Sequence, residues 1–421
     1  MQPLRGTKDI LPNEIILWQH LYATASKIFA LSNYHEIRTP IMESTTLFKR
    51  SIGNGTDIVN KEMYSFLDQR SREITLRPEG TASIARSFIS NKLYQTSKIN
   101  RLWYLGPMFR YERPQNGRQR QFHQLGIECI GSLNPIADTE VIRLANSILT
   151  ALECSNYRIE INSIGNIEER SKYKEDLIQY LKPYEQDLDE DSKKKLEINP
   201  LKILDSKNKK IQEILYKAPC LQKYLKTASI KHFHLICEYL DLLNIQYTIN
   251  PNLVRGLDYY TYTAFEIKTD LLGSQDTICG GGRYDLLIEQ LGGPNTPAVG
   301  WAIGVERLLI LIQKHLTIKK NKPYVYIAHQ GEKAKKEIWK IISLLEKQEI
   351  SFELDLENNS FQKQLKKANK CGAQVCIIIG DDEINKKSIT LKWLHNYTQE
   401  NINSSDLSSL IVKLQNLSSC N

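Results

Sequence analysis

Residues 109–122 constrain the fold of this chain more than any other segment, because charged and aromatic side chains lie on both sides of a short polar turn. The turn contains Gly117, and a glycine-bearing turn between two such runs predicts a β-hairpin. The hairpin would place Arg110, Glu112, Arg118 and Phe122 on one surface. Guanidinium groups bind phosphate oxygens, a carboxylate can accept from an amino group, and a ring can stack on a base, so this surface suits a nucleoside triphosphate. An exposed hairpin with solvated charges is the alternative.

The length of 421 residues exceeds that of one ordinary core and predicts two or three domains. The composition, 41% hydrophobic and 25% charged, is typical of a soluble globular protein, and no apolar run approaches the length of a membrane span. The N-terminus lacks the apolar core of a secretion signal and the Arg- and Ser-rich character of a transit peptide. We therefore expect the protein to stay in the compartment where it is made.

The eight cysteines are scattered without a C-x-x-C pair or a Cys/His cluster, which predicts free thiols in a reducing compartment rather than disulfides or zinc. The formal net charge of +8 is a modest bias toward polyanions. Every arginine lies before Lys322. Arginine is preferred over lysine where a planar fork must meet phosphate, so phosphate chemistry is expected in that part of the chain. A codon bias toward lysine is an equal alternative.

The order of predicted elements divides the chain. Up to residue 321 the strands predict an antiparallel sheet with helices packed on it, not a regular β-α-β alternation. Residues 168–227 lack strand signals and predict a helical insertion, and a helix is expected at residues 284–291. A polar, basic linker at residues 316–322 precedes alternating strands and helices, which predict a small α/β domain with a mostly parallel sheet.

A second segment, residues 300–309, combines small residues with an arginine at the start of a helix. Gly304 lets the backbone approach a ligand closely, and Arg307 in the first helical turn can reach distant phosphates. The hairpin and this segment resemble the second and third signature motifs of class II aminoacyl-tRNA synthetases, F-R-x-E followed by R/H-x-x-x-F, and G-x-G-x-x-R. Ala302 stands where the third motif has its first glycine. A surface arginine on a helix start is the alternative for this segment alone.

Two further segments resemble the histidyl-tRNA synthetase family within class II: residues 253–261, which contain Arg255, and residues 279–285, which contain three consecutive glycines. By itself the glycine run is a weak signal, because it fits neither common phosphate-loop pattern. The resemblance implies an α+β catalytic domain, an antiparallel sheet flanked by helices, at residues 1–321, and a C-terminal α/β anticodon-binding domain at residues 322–421. It extends over essentially the whole chain through residues 4–9, 76–81, 121–128 and 372–373.

The resemblance implies a histidine pocket whose polar groups match those of the free amino acid. The imidazole has one N–H donor and one acceptor, which Glu128 and the Tyr260 hydroxyl can satisfy, while Glu79, Thr81 and Gln124 can hold the ammonium group. Glu79 could instead be only a first-turn acid that complements a helix dipole, and the tyrosines could be ordinary strand aromatics. The implied pocket residues are Glu79, Gly80, Thr81, Gln124, Glu128, Tyr259, Tyr260 and Tyr284.

The implied reaction has two steps, with ATP as a substrate and Mg²⁺ bound with it rather than at a fixed protein site. In the first step the histidine carboxylate attacks the α-phosphate between the catalytic residues Arg110 and Arg255, while Arg118 and Arg307 bind the β- and γ-phosphates. In the second, the terminal ribose hydroxyl of the tRNA attacks the acyl carbon, with Gln124 nearby. The implied ATP-binding residues are Arg110, Glu112, Arg118, Phe122, Arg255 and Arg307.

The remaining implied partners are histidine tRNA and a second copy of the chain. In the hairpin turn, Arg113 and Gln115 resemble the bacterial-type pattern that meets the tRNA acceptor end. A Lys-rich helix at residues 363–370 fits a phosphate footprint, and the strand around Pro40 resembles the first class II motif, which implies a homodimer. A solvated turn and a solvated helix face are the alternatives for the two tRNA contacts.

Two non-catalytic functions compete with the enzyme. One is a histidine sensor, the regulatory subunit of ATP phosphoribosyltransferase, which shares the catalytic fold but should lack the terminal domain and lose the ATP-binding arginines. The other is a synthetase-like domain that only senses tRNA. The retained arginines and C-terminal region favour the enzyme. The Lys-, Asn- and Ile-rich composition suggests an AT-rich genome, and hence a bacterial cytoplasm or a plastid stroma, with no membrane partner.

Overall fold

The computed structural model describes the chain except residues 54–55, 116, 207, 256, 258, 274–275, 314, 317–321, 358, 405, 407–411, 413 and 415–421. The chain forms two compact units, Met1–Ile318 and Lys319–Asn421. Most of the predicted linker at residues 316–322, including the predicted end of the catalytic domain at residue 321, lies outside the described residues. Within the described part of the chain, no helix has the length and apolar character needed to span a bilayer.

The first unit is built on a large sheet. Its strands are β1 (His35–Glu36), β2 (Met42–Ser44), β3 (Tyr64–Leu67), β4 (Glu73–Leu76), β5 (Asn100–Phe109), β6 (Gln121–Ile130), β7 (Arg158–Ser163), β8 (Thr248–Ile249), β9 (Thr261–Lys268), β10 (Thr277–Arg283) and β11 (Ala298–Gly304). Eight of them form one sheet in the order β1-β5-β6-β11-β10-β9-β7-β8, and β2-β4-β3 form a smaller one. In the large sheet the outer pairs β1–β5 and β7–β8 are parallel and the inner pairs are antiparallel. The predicted antiparallel fold is confirmed.

Helices cover both faces of the large sheet. They are α1 (Pro12–Leu31), α2 (Thr45–Ile52), α3 (Thr81–Ser90), α4 (Leu93–Thr96), α5 (Pro135–Ala151), α6 (Ile167–Leu181), α7 (Glu190–Ile198), α8 (Lys209–Leu215), α9 (Thr227–Leu242), α10 (Leu287–Gln290) and α11 (Val305–Ile312). Where they are described, residues 168–227 form helices and short 3₁₀ turns. The helix predicted at residues 284–291 is wrong in extent, because the backbone N–H of Tyr284 donates to the Ala298 carbonyl at 2.7 Å and so continues the strand edge.

Alternation along the strands separates two cores. Leu125 and Ile127 of β6 point to the face that α1, α5, α9 and α11 cover. The even-numbered residues of β6 lie on the other face, which packs against α3 and the segment after β7. Because side chains alternate with a period of two, Phe122, Gln124 and Glu128 share this second face. The sheet thereby places residues from distant segments on one surface.

The second unit has a five-stranded sheet in the order β13-β12-β14-β15-β16. Its elements are β12 (Val325–His329), α12 (Glu332–Lys347), β13 (Phe352–Leu354), α13 (Phe361–Cys371), β14 (Val375–Ile379), α14 (Asp381–Asn385), β15 (Ser388–Trp393) and β16 (Gln399–Asn403). The prediction of a mostly parallel sheet is wrong, since β12 pairs in parallel with β13 and β14, but β14–β15 and β15–β16 are antiparallel. A parallel crossover needs about a dozen residues or more, and the link from β14 to β15 is too short for one.

Candidate active site

A cleft of about 920 Å³, partly open to solvent, lies on the second face of the large sheet. Its floor is the sheet itself. Gly126 of β6, Ala302 of β11 and Gly280 of β10 are successive cross-strand neighbours, and none carries more than a methyl group. A row of small residues lowers the surface between strands that otherwise carry larger side chains. Ala302 and Gly280 line the cleft, and the space above Gly280 holds the Arg255 guanidinium, whereas the space above Gly126 is filled by the Tyr104 ring.

The predicted hairpin supplies one wall of the cleft. Strands β5 and β6 pair from Asn100 and Ile130 down to Phe109 and Gln121, and the turn beyond them includes Gly117 in the left-handed region at φ +76°. Glu112 lies between two arginines, with a carboxylate oxygen 3.2 Å from Nε of Arg118 and another 3.8 Å from Nη1 of Arg110.

Arg110 is anchored to the backbone as well as to its neighbours. Its Nε donates to the Pro78 carbonyl at 2.8 Å, and its guanidinium carbon lies 5.2 Å from the centre of the Phe122 ring. The carbonyl fixes the guanidinium without neutralising it, because a backbone acceptor carries no net charge. A cation held in this way can meet a phosphate with little reorganisation.

Arg307 closes the same end of the cleft from the start of α11. Its Nε donates to the Gly117 carbonyl at 2.9 Å and its Nη1 to the Thr277 carbonyl at 3.0 Å. These bonds connect the hairpin turn to β10. Burial lowers the pKa of Arg307, and the nearby guanidinium of Arg118 acts in the same direction. An arginine at ordinary pH stays charged despite such a shift, so two cations lie close together where a polyanion would be stabilised.

Arg255 reaches the cleft from the loop before β9. It forms an ion pair with Glu266 of β9, and its guanidinium carbon lies 5.5 Å from the centre of the Tyr260 ring. Burial is the largest single influence on the pKa of Arg255 and acts to lower it, but Glu266, Tyr260 and Tyr259 together outweigh it and the pKa is raised. A Cβ atom at Gly280 would overlap the Arg255 guanidinium. The glycine run therefore provides space for an arginine rather than a phosphate loop.

The other end of the cleft is built around buried carboxyl groups. Glu128 is fully buried; Thr81 Oγ1 donates to one of its carboxylate oxygens at 2.7 Å, and the Tyr284 hydroxyl donates to the other. Burial raises the pKa of Glu128 to about 8, although both hydroxyls act to lower it. A Cβ at Gly300 would overlap this carboxylate. The group is therefore tightly enclosed, and its burial favours the protonated form.

Glu79 is the second buried carboxyl group, with 3% of its surface exposed. Its two oxygens accept from the backbone N–H groups of Thr81 at 2.7 Å and Ala82 at 2.8 Å, at the start of α3. This is the first-turn role that the sequence left open for Glu79, yet the side chain also lines the cleft. Carboxylate oxygens have further lone pairs, so capping the helix leaves acceptor capacity for a ligand.

A tyrosine that the sequence analysis did not identify lies beneath this end. The Tyr104 ring fills the space left by Gly80 and Gly126, and a Cβ at either glycine would overlap it. Its hydroxyl is buried and has no hydrogen-bond partner among the described residues. Only the spacing of Tyr104 in β5, opposite Gly126, could have indicated it, and that register is not visible in a sequence alone.

The predicted site residues separate into three groups. Gly80, Glu128 and Tyr284 lie beside the cleft, behind the side chains that line it, whereas Arg113 and Gln115 are exposed on the hairpin turn away from it. The cleft brings together Glu79, Thr81, Arg110, Glu112, Arg118, Phe122, Gln124, Arg255, Tyr259, Tyr260 and Arg307. Gln124 Oε1 is buried without a partner in the described part of the chain.

Comparison with known proteins places this geometry in a family. Residues 6–308 match the family model described as Histidyl-tRNA synthetase, and residues 324–414 match the model described as Anticodon binding domain. The two matches correspond to the two compact units of the chain.

Full-length relatives agree with these matches. A chloroplastic histidine–tRNA ligase of Gracilaria tenuistipitata var. liui is 66% identical, with 99% of each chain covered. A histidine–tRNA ligase of Rippkaea orientalis (strain PCC 8801 / RF-1) is 50% identical over 99% of this chain and 97% of that protein. The crystal structure of apo S. aureus histidyl-tRNA synthetase is 34% identical and superposes with a TM-score of 0.82, covering 97% of this chain and 99% of that one. The chain therefore belongs to the histidyl-tRNA synthetase family of aminoacyl-tRNA synthetases.

Proposed function

We propose that the chain ligates L-histidine to histidine tRNA through a histidyl-adenylate, consuming ATP and releasing pyrophosphate and then AMP. Family membership makes it an aminoacyl-tRNA synthetase. One observation carries the detailed assignment: Arg110, Arg118, Arg255 and Arg307 line one cleft, Glu79 lines its other end, and Glu128 is buried there behind Thr81. A triphosphate fits the first end by charge, and a small amino acid with a polar ring fits the second.

Histidine would bind at the end of the cleft that holds the buried carboxyl groups of Glu79 and Glu128. Glu128 would accept from one imidazole nitrogen and the Tyr260 hydroxyl would donate to the other, while Glu79, Thr81 and Gln124 hold the ammonium group. The unpartnered, buried Oε1 of Gln124 supports this role, because such an atom is costly unless a ligand donates to it. Two residues would support the pocket without contacting histidine: the Tyr284 hydroxyl holds Glu128, and Gly80 leaves room for the Tyr104 ring. The ring of Tyr259 packs against that of Tyr260, with the ring centres 4.7 Å apart.

ATP would bind at the arginine end. Arg110 and Arg255 would bind the α-phosphate from two sides, and Arg118 and Arg307 the β- and γ-phosphates. Phe122 would stack on the adenine, and Glu112 would release its arginine partners to accept from the adenine amino group. Mg²⁺ would enter with ATP and be held mainly by phosphate oxygens and water, as is usual for this ion.

Two steps follow, an in-line displacement at phosphorus and then an acyl transfer. A histidine carboxylate oxygen attacks the α-phosphorus, the bond to the bridging oxygen breaks, and pyrophosphate leaves. The arginines stabilise the charge that develops on the phosphate oxygens. The terminal ribose hydroxyl of the tRNA then attacks the acyl carbon, AMP leaves, and the hydroxyl proton passes to the departing phosphate beside Gln124.

The tRNA would contact both units. Arg113 and Gln115 are exposed on the hairpin turn, where their donors are available to the acceptor end. The second unit, which matches an anticodon-binding model, would bind the anticodon arm. Its helix α13 carries Lys363, Lys366 and Lys370, suited to phosphate contacts.

A homodimer is supported by one apolar face in the first unit. In the small sheet, Met42 is 59% exposed and Phe66 is 45% exposed. They share a face with their cross-strand partners Leu76 and Ile74. Exposed apolar patches of this kind mark association surfaces. The face includes β2, which follows Pro40 in the segment that resembles the first class II motif; residues 37–41 form no strand, so the strand predicted around Pro40 is wrong.

The compartment would be a plastid or a bacterial cytoplasm. The relatives include the chloroplastic enzyme of Gracilaria tenuistipitata var. liui, 66% identical, and the enzyme of Rippkaea orientalis (strain PCC 8801 / RF-1), 50% identical. The AT-rich codon usage suggested by the composition is compatible with either.

Histidine-dependent ATP–pyrophosphate exchange tests the proposal, followed by charging of histidine tRNA. Exchange that requires histidine and is not supported by the other amino acids is expected. A histidine sensor would bind histidine without exchange, and a tRNA sensor would show neither exchange nor charging. The retained arginines and the C-terminal unit disfavour both non-catalytic functions. Absence of exchange by folded, histidine-binding protein would contradict the enzyme.

A further inference from the structure

We infer that Glu266 is a positioning residue for adenylate formation, acting through Arg255. The inference rests on the proposed role of Arg255 at the α-phosphate and adds a residue outside the motifs identified in the sequence. Glu266 lies on β9, with 16% of its side chain exposed, and is the cross-strand neighbour of Gly280 in the floor of the cleft. It is therefore placed at the edge of the groove, facing the arginine.

The contact between Glu266 and Arg255 fixes the direction of the guanidinium. One carboxylate oxygen of Glu266 pairs with Nη1 of Arg255, and Arg255 Nε is buried without a partner among the described residues. Because the guanidinium is planar, holding one nitrogen orients the others. Gly280 leaves open the space that the guanidinium occupies. The carboxylate and the glycine together define one position for Arg255, whose side chain lines a cleft suited to an anion.

Glu266 is itself held in place. Its second oxygen lies 3.2 Å from Nζ of Lys268 and 3.4 Å from Oγ1 of Thr277. Lys268 also pairs with Glu160 of β7 at 3.0 Å, so that an alternating row of charges ends at Arg255. Lys268 offsets part of the negative charge of Glu266. Glu266 and Lys268 together therefore orient Arg255 while leaving net positive charge to bind a phosphate.

The same carboxylate is connected through Thr277 to Arg307, another of the arginines proposed to bind phosphate. Thr277 donates from its hydroxyl to Glu266, and its backbone carbonyl accepts from Nη1 of Arg307 at 3.0 Å. Arg255 and Arg307 come from segments far apart in the chain. Thr277 on β10 thus bonds both Glu266, the partner of Arg255, and Arg307, so that these contacts link the two arginines.

The physical consequence is a specific loss of rate when Glu266 is changed. A buried guanidinium without its carboxylate partner moves to another acceptor or admits water. Misplacement of a catalytic group by about 1 Å can cost about 100-fold in rate. Since substrate binding uses other contacts as well, the effect should fall on turnover more than on the KM for ATP or histidine.

The experiment compares Glu266→Gln with the matched control Glu160→Gln in histidine-dependent pyrophosphate exchange. Both changes remove a carboxylate that pairs with Lys268, but only Glu266 touches Arg255. We expect turnover to fall at least about tenfold for Glu266→Gln, with each KM within about threefold, and Glu160→Gln to remain within about threefold of the unaltered protein. The burst of adenylate formation should keep its amplitude and lose rate, whereas a misfolded fraction would lower the amplitude.

A double-mutant cycle distinguishes this inference from the proposal on which it rests. If Glu266 acts through Arg255, adding Glu266→Gln to Arg255→Ala should cost little further rate. Undiminished exchange by Arg255→Ala would overturn both proposals. Loss of exchange in Arg255→Ala, with normal turnover in Glu266→Gln, would overturn only the role of Glu266, as would fully additive losses. If Glu266→Gln fails to fold, Glu266→Asp, which keeps the charge but shortens the reach, should show the same loss of turnover.

Discussion

The two ends of the cleft hold charge in opposite ways. At one end, Arg110 and Arg307 are anchored by backbone carbonyls, which leave their positive charge intact. At the other end, Glu79 and Glu128 are 3% and 0% exposed, and their oxygens accept from N–H and O–H groups. A partly open cationic end suits a highly charged ligand that carries its own counterions. A closed acidic end suits a small ligand that must be recognised without water.

The difference predicts what each end controls. Positioned cations stabilise charge that builds up during phosphoryl transfer, so losses at the arginine end should lower the rate of adenylate formation. A buried acceptor that lacks its donor raises the free energy of the complex, because water cannot replace the donor. Substitutions of the buried carboxyl groups should therefore reduce discrimination among amino acids. Variants at each end can test this separation.

The largest effect is expected for Arg255→Ala and Arg110→Ala. Each change removes a cation proposed to flank the α-phosphate, and removing one preorganised donor typically costs about 100-fold in rate. Histidine-dependent pyrophosphate exchange measures the loss, and the fold should remain intact by circular dichroism. Near-normal exchange in both variants would remove the catalytic assignment. Histidine binding, measured by calorimetry without ATP, is the internal control and should persist for Arg110→Ala.

A smaller effect, confined to the other substrate, is expected for Glu128→Gln. An imidazole N–H that donates to Glu128 favours the ionised carboxylate over the protonated form of the ligand-free protein. The amide keeps the shape but cannot ionise, and hydrogen bonds to charged groups contribute about 1.5–3 kcal/mol. The KM for histidine should therefore rise at least about tenfold. The KM for ATP should stay within about threefold, since Glu128 lies away from the arginines. An equal rise in both KM values would mean that the two ends are not separable.

The same substitution should change how stability depends on pH. Burial raises the pKa of Glu128 to about 8, whereas an unfolded glutamate titrates near 4.5. Between these values the folded state retains a proton that the unfolded state has lost, so the contribution of Glu128 to stability decreases as the pH rises through this window.

Glu128→Gln should therefore stabilise the ligand-free protein more at pH 8 than at pH 5. Each unit of pKa shift corresponds to about 1.4 kcal/mol, and a difference of about 1–2 kcal/mol between the two pH values is a conservative expectation. Urea unfolding at both pH values measures it. A difference that is constant with pH would show that Glu128 is ionised in the folded state throughout.

Sequence alone predicted the parts of the site that are local in the chain. The hairpin was recognisable because its arginines, carboxylate and ring lie within residues 109–122, and the antiparallel sheet followed from the order of strands. The approach of Arg307 to Gly117 could not be foreseen from the spacing of these residues along the chain. It depends on the register that pairs Gly304 with Gln124, which only the folded sheet specifies.

Other features were missed because they depend on contacts between segments. Tyr104 fits between Gly80 and Gly126, which come from a loop and a neighbouring strand, and the glycines gave no sign of what they accommodate. The glycine run that includes Gly280 gave only a weak indication of a phosphate loop. Its role is to make room for the Arg255 guanidinium, which comes from a different segment of the chain. The antiparallel end of the second sheet could have been foreseen, since the link between Ile379 and Ser388 is too short for a parallel crossover.

The smallest effect is expected for Ala302→Gly, which restores the first glycine of the third class II motif. Ala302 lies between Gly126 and Gly280 in the floor of the cleft, where a methyl group adds little height. Exchange should stay within about threefold, and stability should fall by about 0.5–1 kcal/mol because glycine loses more backbone freedom on folding. Gly280→Ala is the matched opposite, because its methyl group would overlap Arg255, and it should lower exchange by at least about tenfold. Similar effects of the two changes on exchange would contradict this expectation. They would show that the rate of adenylate formation does not depend on the exact position of the Arg255 guanidinium.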